Sequence, residues 1–357
     1  MVPKKKIDEI LAGYDPEEIT IATLCSHSSL QIFHGARKMG FRTLGLLTKD
    51  NRKVYDAFPL AKPDEFLSYS DYDDMFERTG ELIDHNVVVI PHGSFVEYMG
   101  AKKFEDYGVP SYGNRAVLAW ESDRDAQRRW ITSAGAPMPR LITDAREIKE
   151  PVMVKYHGAK GGRGFFIAKD YPDFKMGIDS SQPYTVQEYC LGTRYYLHFF
   201  YDPLKTDGYL IKQGGSLELL SIDRRDESNI DEMYKLGSIE DAKRHGLYPS
   251  FVVTGNTPVV IRESLLPKAF EMAENIVNRS YELFGGMWGP FCLETVVNDK
   301  LEFRIFEIST RIVAGTNPFI GGSPYTEMVY PGLSTGGRLA MEIRDAIAAG
   351  KLGMLVS

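Results

Sequence analysis

Two apolar runs toward the C-terminal end each carry a glutamate where a buried strand ordinarily has none. They are Gly289-Pro290-Phe291-Cys292-Leu293-Glu294 and Phe303-Arg304-Ile305-Phe306-Glu307-Ile308-Ser309-Thr310-Arg311. The turn residues Asn298-Asp299-Lys300 lie between them, so the pair reads as an antiparallel hairpin. Side chains along a strand alternate faces, so Glu294 and Glu307 can project from the same side. Two carboxylates on one sheet face, with Arg311 beyond the second, suit a hard divalent cation that holds phosphates. Mg²⁺ typically takes one or two carboxylates and leaves its other positions to substrate oxygens and water. A half-exposed hairpin with ordinary surface glutamates is the reading that the hairpin alone leaves open.

A chain of 357 residues is long enough for two or three domains or subdomains. Its 43% hydrophobic and 25% charged residues are those of an ordinary globular protein. A net charge of −7 argues against a general nucleic-acid binder but leaves room for a local basic phosphate pocket. Cys25, Cys190 and Cys292 form no CxxC pair, so neither a disulfide framework nor a zinc knuckle is expected, and each is read as a small core residue. No run approaches the ~18 consecutive apolar residues of a membrane span. Lys4-Lys5-Lys6 is followed by a segment too polar for a signal peptide. A cytoplasmic enzyme or binding protein, with no membrane partner, is the expectation.

Strands are expected at 19–24, 43–47, 65–69 and 87–90, with helical stretches at 30–39, 71–85 and 95–107. Alternation of this kind predicts a parallel sheet covered on both faces, with ligands at the carboxyl ends of its strands. Those ends are Cys25-Ser26-His27-Ser28 and Pro91-His92-Gly93-Ser94. A long helix is expected over 115–135. From 141 to 226 short strands with turn punctuation predict an antiparallel α+β region. A helix over 264–284 ends at Gly285-Gly286, and 331–350 reads as a surface helix.

Val152 to Ile167 reads as strand, glycine-rich loop, strand. Glycines let backbone N–H groups approach phosphate oxygens, and Lys155, Lys160 and Arg163 add positive charge. No helix follows the loop, so it matches neither the Walker nor the dinucleotide fingerprint. Thr185-Val186-Gln187-Glu188-Tyr189-Cys190-Leu191-Gly192 can offer backbone groups to an adenine edge, although taken alone an ordinary strand is the better reading. His27 sits in Ser26-His27-Ser28-Ser29 at an expected helix N-terminus, a ready-made anion site. Ser94 and Asn256 alone read as turn residues. The aromatic run from Tyr195 to Tyr201 reads as strand core and a possible subunit interface.

Lys155, the glycine loop, the segment from Gln187 to Gly192, Glu294 and Glu307 occur in the order found in ATP-grasp carboxylate–amine ligases, and from 115 to 311 the chain resembles that superfamily. More narrowly, Thr23-Leu24-Cys25-Ser26-His27-Ser28, the segment from Ile222 to Asn229, the segment from Thr254 to Ser264 and Ala314-Gly315-Thr316-Asn317 resemble the archaeal-type formate-dependent 5-formaminoimidazole-4-carboxamide ribonucleotide synthetase family. The resemblance implies an α/β and α+β architecture. A Rossmann-like pre-ATP-grasp domain would span 1–114 and an ATP-grasp domain 115–357, the latter with a lid subdomain near 138–226 and a metal-binding subdomain near 250–357. It implies that ATP phosphorylates formate and that the 5-amino group of aminoimidazole carboxamide ribonucleotide (AICAR) attacks the formyl phosphate, one step before closure of the purine ring to inosine monophosphate.

The resemblance also implies roles. Glu294 and Glu307 would hold Mg²⁺, with Mn²⁺ as the alternative. Lys155 with Gly161, Gly162, Arg163 and Gly164 would hold the ATP phosphates, Glu188 and Tyr189 would lie at the adenine hinge, and Glu227 would bond the ribose. His27, Ser94 and Asn256 would hold AICAR. Arg311, just past Glu307, would serve formate or its phosphate and, with Lys155, make up the catalytic pair. Partners would be ATP, formate, AICAR and further copies of the chain. The sequence departs from the superfamily at Ser309, where many members carry asparagine, and at Thr193-Arg194, where many carry an acidic ribose ligand. A paralogous ligase with another acceptor and a non-catalytic nucleotide-binding protein are the competing readings.

Overall fold

The computed structural model describes residues 1–157, 164–228, 230, 233, 237, 239–247, 250, 252–313 and 322–357. Its first sheet contains β1 (Thr20–Leu24), β2 (Arg42–Leu47), β3 (Glu65–Ser68) and β4 (Val87–Val89), all parallel, in the order β3-β2-β1-β4. Every residue of β1 and β4 is buried, as expected for strands covered on both faces. The chain steps from β1 to β2 on one side and reaches β4 on the other. That reversal opens a crevice at the carboxyl ends of β1 and β4, where His27 and Ser94 follow their strands.

Three expected helices are each broken in two. Residues 71–85 form Tyr72–Glu77 and Thr79–Asp84, which meet at Arg78. Residues 95–107 form a π-helical turn, Phe95–Met99, and the helix Ala101–Glu105, separated by Gly100 at φ +88°. Residues 115–135 form Ala116–Ser122 and Arg124–Ser133. Asp123 between them is extended and caps the second helix by accepting from the Ala126 N–H at 2.7 Å.

The next three strands are β5 (Val152–Tyr156), β6 (Phe165–Ala168) and β7 (Tyr184–Glu188), an antiparallel sheet of order β6-β5-β7. It has a core of its own, built from Ile142, Ile148, Val152, Val154, Ala168, Phe174 and Val186.

The largest sheet contains β8 (Thr193–Asp202), β9 (Tyr209–Leu210), β10 (Ser216–Glu227), β11 (Val253–Pro258), β12 (Gly289–Val297) and β13 (Phe303–Ser309). It is antiparallel in the order β11-β10-β8-β12-β13, with β9 beside β10. Alternation along β8 divides its side chains. Leu197, Phe199 and Tyr201 join the core with Ala273, Ile276 and Val277 of the helix Leu266–Phe284. Tyr196, His198 and Phe200 face the other way. The run from Tyr196 to Tyr201 is buried inside the chain and is therefore not available as a subunit interface. Cys292 is buried, whereas Cys25 and Cys190 are only half-buried.

The C-terminal helix, Thr335–Ala348, corrects the expectation of a surface helix. It buries Leu339, Ala340, Ile343 and Ala346 in one core with Ile32 and Ala36 of the helix Ser29–Lys38 and with Phe200. The two helices touch through glycines. A Cβ on Gly35 would lie 2.3 Å from the Gly337 nitrogen, and one on Gly336 would lie 2.3 Å from the Gln31 carbonyl oxygen. Arg338, 1% exposed, donates from Nε to Glu218 Oε2 at 2.7 Å and from Nη2 to Asp202 Oδ2 at 2.7 Å, with its guanidinium 4.4 Å above the Phe200 ring centroid. Lys205 Nζ donates to Glu218 Oε1 at 2.9 Å. Replacing Arg338 by methionine keeps its volume but strands Asp202 and Glu218 as buried acids. This is expected to lower stability by roughly 3–5 kcal/mol. A thermal melt checks it, and an unchanged midpoint would mean that the buried ion pairs do not hold the C-terminal helix in place.

Candidate active site

The centre of the site is the β12–β13 hairpin. Glu294 and Glu307 are direct cross-strand partners, and a bulge follows Glu294. Directly opposed residues share a face and bring their side chains close together. Ser309 Oγ donates to Glu294 Oε1 at 3.1 Å. Both carboxyls titrate above their ordinary range. Burial is the main cause for each. The second is the charge of Glu307 for Glu294, and the charge of Glu121 for Glu307. Glu307 is reached by solvent yet ringed by protein, as a residue on the floor of an open cleft is. The opposing cations are Arg225 and Arg311 around Glu294, and Arg124, Arg311 and Lys155 around Glu307.

Arg311 is fixed from behind. Its Nη2 lies 2.5 Å from Glu121 Oε1, and Glu121 Oε2 accepts from the Thr310 N–H at 2.8 Å and its hydroxyl at 2.7 Å. Glu121 is buried on the helix Ala116–Ser122. The segment after β13 then meets the crevice of the parallel sheet. His92 bridges to Ile312, and Ser28 Oγ donates to the Val313 carbonyl at 3.3 Å. In that crevice His27 Nε2 and Ser94 Oγ are 3.2 Å apart, and Ser94 Oγ donates to Ser26 Oγ at 2.9 Å. Burial and the charge of Arg311 lower the pKa of His27 and favour a neutral imidazole. Burial pushes His92 down to about 3. Ser28 holds a left-handed φ of +72° at the start of the helix Ser29–Lys38, the kind of strain found where a site constrains the backbone.

Lys155 is carried on β5. Burial and the neighbouring Arg124 lower its pKa, and the charge of Glu307 works against them. Gly164 follows the glycine loop at φ +74°, with its carbonyl accepting from the Tyr156 N–H at 2.8 Å. Gly161, Gly162 and Arg163 lie outside the described residues, as does Ala314-Gly315-Thr316-Asn317.

Glu188 ends β7, and its carboxylate is engaged by neighbouring protein groups. It accepts from the Arg140 N–H at 3.1 Å and lies 3.7 Å from Arg304 Nε. The Tyr189 N–H donates to the Pro151 carbonyl at 3.2 Å. Glu227 ends β10 and takes Arg194 Nη1 at 2.6 Å. Asn256 on β11 is the direct partner of Arg225, and both atoms of its amide are buried without a hydrogen-bond partner among the described residues.

The fold thus brings Glu294, Glu307, Lys155, Arg311, His27 and Ser94 around one cleft, with Asn256 and Glu227 on neighbouring strands of the large sheet and Glu188 and Tyr189 at the end of β7. An open hollow of about 550 Å³, lined by Arg128, Met138 and Arg140, holds none of them. Three residues at the site escaped the sequence reading. Glu121 and Arg124 carry no local signal. Arg225 had one, being a charged residue inside a strand. Among the described residues there is no group of three or more histidine, cysteine, aspartate or glutamate side chains able to hold a metal. The opposed pair fits a cation that draws its remaining ligands from phosphates. No helix among the described residues is long and apolar enough to cross a membrane.

Two family models match the chain: a protein of unknown function (DUF1246) over residues 21–142, and a domain of unknown function (DUF1297) over residues 176–357. A 5-formaminoimidazole-4-carboxamide-1-β-D-ribofuranosyl 5′-monophosphate synthetase of Methanothrix thermoacetophila is 56% identical over 357 residues, covering 100% of both chains. The crystal structure of an IMP biosynthesis protein, PurP, from Thermococcus kodakaraensis aligns with a TM-score of 0.70 at 28% identity, over 94% of this chain and 100% of that one. N5-carboxyaminoimidazole ribonucleotide synthetase from Thermotoga maritima aligns with a TM-score of 0.56 at 18% identity, over 91% of this chain and 76% of that one, a likeness of fold alone. The chain belongs to the family of 5-formaminoimidazole-4-carboxamide ribonucleotide synthetases, ligases built on the ATP-grasp fold.

Proposed function

We propose that the protein formylates the 5-amino group of AICAR with formate and ATP, giving the formamido ribonucleotide, ADP and phosphate. The observation that carries this reading is the meeting of the Glu294–Glu307 pair and Arg311 with the His27–Ser94 crevice in one cleft. A formate oxygen attacks the γ-phosphorus as its bond to ADP breaks. The amine nitrogen then attacks the formyl carbon, the C–O bond to phosphate breaks, and the nitrogen loses a proton.

Each chain residue has work in that sequence. Lys155 and the glycine loop hold the ATP phosphates, with Glu188 and Tyr189 at the adenine end and Glu227 at the ribose. Arg311, preset by Glu121, receives formate and steadies the charge on the transferring phosphoryl group. His27, Ser94 and Asn256 hold AICAR, and the neutral imidazole offers it a hydrogen bond. An aromatic amine is a weak nucleophile, so holding it against the formyl carbon and keeping water out are the main tasks. Glu294 and Glu307 would bind a divalent ion, Mg²⁺ or Mn²⁺, which when present neutralises phosphate charge. A cytoplasmic homo-oligomer belongs to the same reading and rests on the family resemblance.

ADP release, measured with formate and AICAR added singly and together, tests the proposal. Release that needs both is expected. Release indifferent to AICAR would move the protein to another acceptor, and no release with either would end the ligase reading. Glu307→Gln is expected to lower kcat by roughly 10²-fold or more while leaving the fold intact, read by steady-state kinetics beside a thermal melt. Glu121→Gln loosens Arg311 and is expected to raise the KM for formate about tenfold with the KM for ATP unchanged. Equal effects on both would place Glu121 in general stability rather than behind Arg311.

A further inference from the structure

The cross-strand registers place an aspartate with no role so far in one row with the two glutamates. Asp223 of β10 faces Tyr196 of β8, Tyr196 faces Glu294, and Glu294 faces Glu307. Asp223 is 0% exposed. Its Oδ2 lies 2.7 Å from Nε2 of His198, which is itself buried, and its Oδ1 lies 3.4 Å from Arg225 Nε. The Arg225 guanidinium is centred 4.1 Å above the Tyr196 ring. His198, Asp223 and Arg225 thus form a buried chain that ends on an aromatic plate.

Such a chain adds little to stability, because apolar residues of the same volume often pack as well. It does fix direction. The ring below and the carboxylate charge behind restrict the orientation of the guanidinium. Two things lie beside it. Asn256, directly across the strand pair, has an amide buried with no hydrogen-bond partner among the described residues, as a group awaiting a ligand would have. Glu294, one strand beyond Tyr196, lies close enough to feel the arginine's charge. Arg225 therefore stands between the acceptor side of the cleft and its metal side.

We propose that Arg225 aligns the acceptor amine with the formyl group, and that Asp223 and His198 are positioning residues that act through Arg225. The proposal rests on the ligase reading above and adds a residue set to it. Misalignment has a specific chemical consequence. Formyl phosphate still forms, but water competes with the amine for the formyl carbon. The C–O bond to phosphate then breaks with water supplying the hydroxyl, and formate and phosphate are released. ADP therefore accumulates beyond the formamido product.

The test measures ADP and formamido ribonucleotide in the same reaction for the wild type, Arg225→Lys, Asp223→Asn, His198→Gln and His198→Leu, with a thermal melt for each. The wild type should give one ADP per product. Arg225→Lys and Asp223→Asn should raise the KM for AICAR about ten- to a hundredfold, the range for loss of one charge-assisted hydrogen bond. They should also lift the ADP-to-product ratio clearly above one with the KM for ATP unchanged. His198→Gln, which keeps an N–H donor, should be milder than His198→Leu. Loss of ADP and product in equal proportion would overturn the proposal and place Arg225 in phosphoryl transfer or in the fold, and unchanged kinetics would overturn it outright. A wild type that forms no product would sink the ligase reading and this inference with it, whereas a coupled wild type with coupled variants sinks the inference alone.

Discussion

Everything else in the cleft is arranged around two carboxylates that repel each other. Register fixes Glu294 opposite Glu307, and burial strengthens the repulsion by removing the water that would screen it. A sheet does not tolerate that pairing unless its neighbours compensate. Here the compensation comes from four directions: Arg225 from β10, Arg311 from the segment after β13, Lys155 from β5 and Arg124 from the helix Arg124–Ser133. Three of those cations come from separate layers of the molecule, so the pair keeps its electrostatic balance only when small sheet, large sheet and preceding helix pack together. A cation between the carboxylates would relieve the same repulsion directly.

How much of this was legible depended on whether the signal was local. The hairpin could be read because a glutamate inside an apolar period-two run is a local anomaly and its turn residues are adjacent. The crevice residues His27 and Ser94 could be placed because parallel-sheet topology puts loops at strand ends. Glu121 could not, since its partner Arg311 is distant in sequence and a glutamate on a helix reads as ordinary. Arg338 and Glu342 misled more actively. Two charged residues at helical spacing indicate a solvated face, and only the tertiary fold shows that Asp202, Glu218 and Tyr112 wait for them. The glycines at 35 and 336 likewise lower helix propensity in isolation, and their use is visible only where two backbones meet. Two of the divided helices failed for a similar reason: apolar spacing continues across Asp123 and Gly100, while the side-chain cap of Asp123 and the positive φ of Gly100 show only in the folded chain.

The small antiparallel sheet has a different physical character from the rest. Its core of seven buried residues is separate from the main one, so its position relative to the hairpin is set by few apolar contacts. Segments of that kind open and close at low cost. Lys155 is the residue this sheet carries toward Glu307, and its pKa is lowered first by burial and then by the arginines around it, Arg124 foremost. Triphosphate would relieve that crowding just as a cation would relieve the glutamates. The small sheet and the hairpin thus carry unbalanced charge of opposite sign, which the metal–nucleotide complex of the proposed function would satisfy on both sides.

β8 uses one device twice. At Phe200 it supports the guanidinium of Arg338, and at Tyr196 that of Arg225, each stacked on a ring and held by a buried acid on β10. The two differ in what surrounds them. Arg338 is closed in by Glu218 and Asp202 of the large sheet, it belongs itself to the helix Thr335–Ala348, and its loss should be felt as instability. Arg225 lies instead next to an asparagine amide with no hydrogen-bond partner among the described residues and a carboxylate raised by burial and then by a like charge. The same stacking that makes one arginine a structural pin gives the other a fixed heading into the site. Burial alone does not separate structure from function here; the unsatisfied groups nearby do.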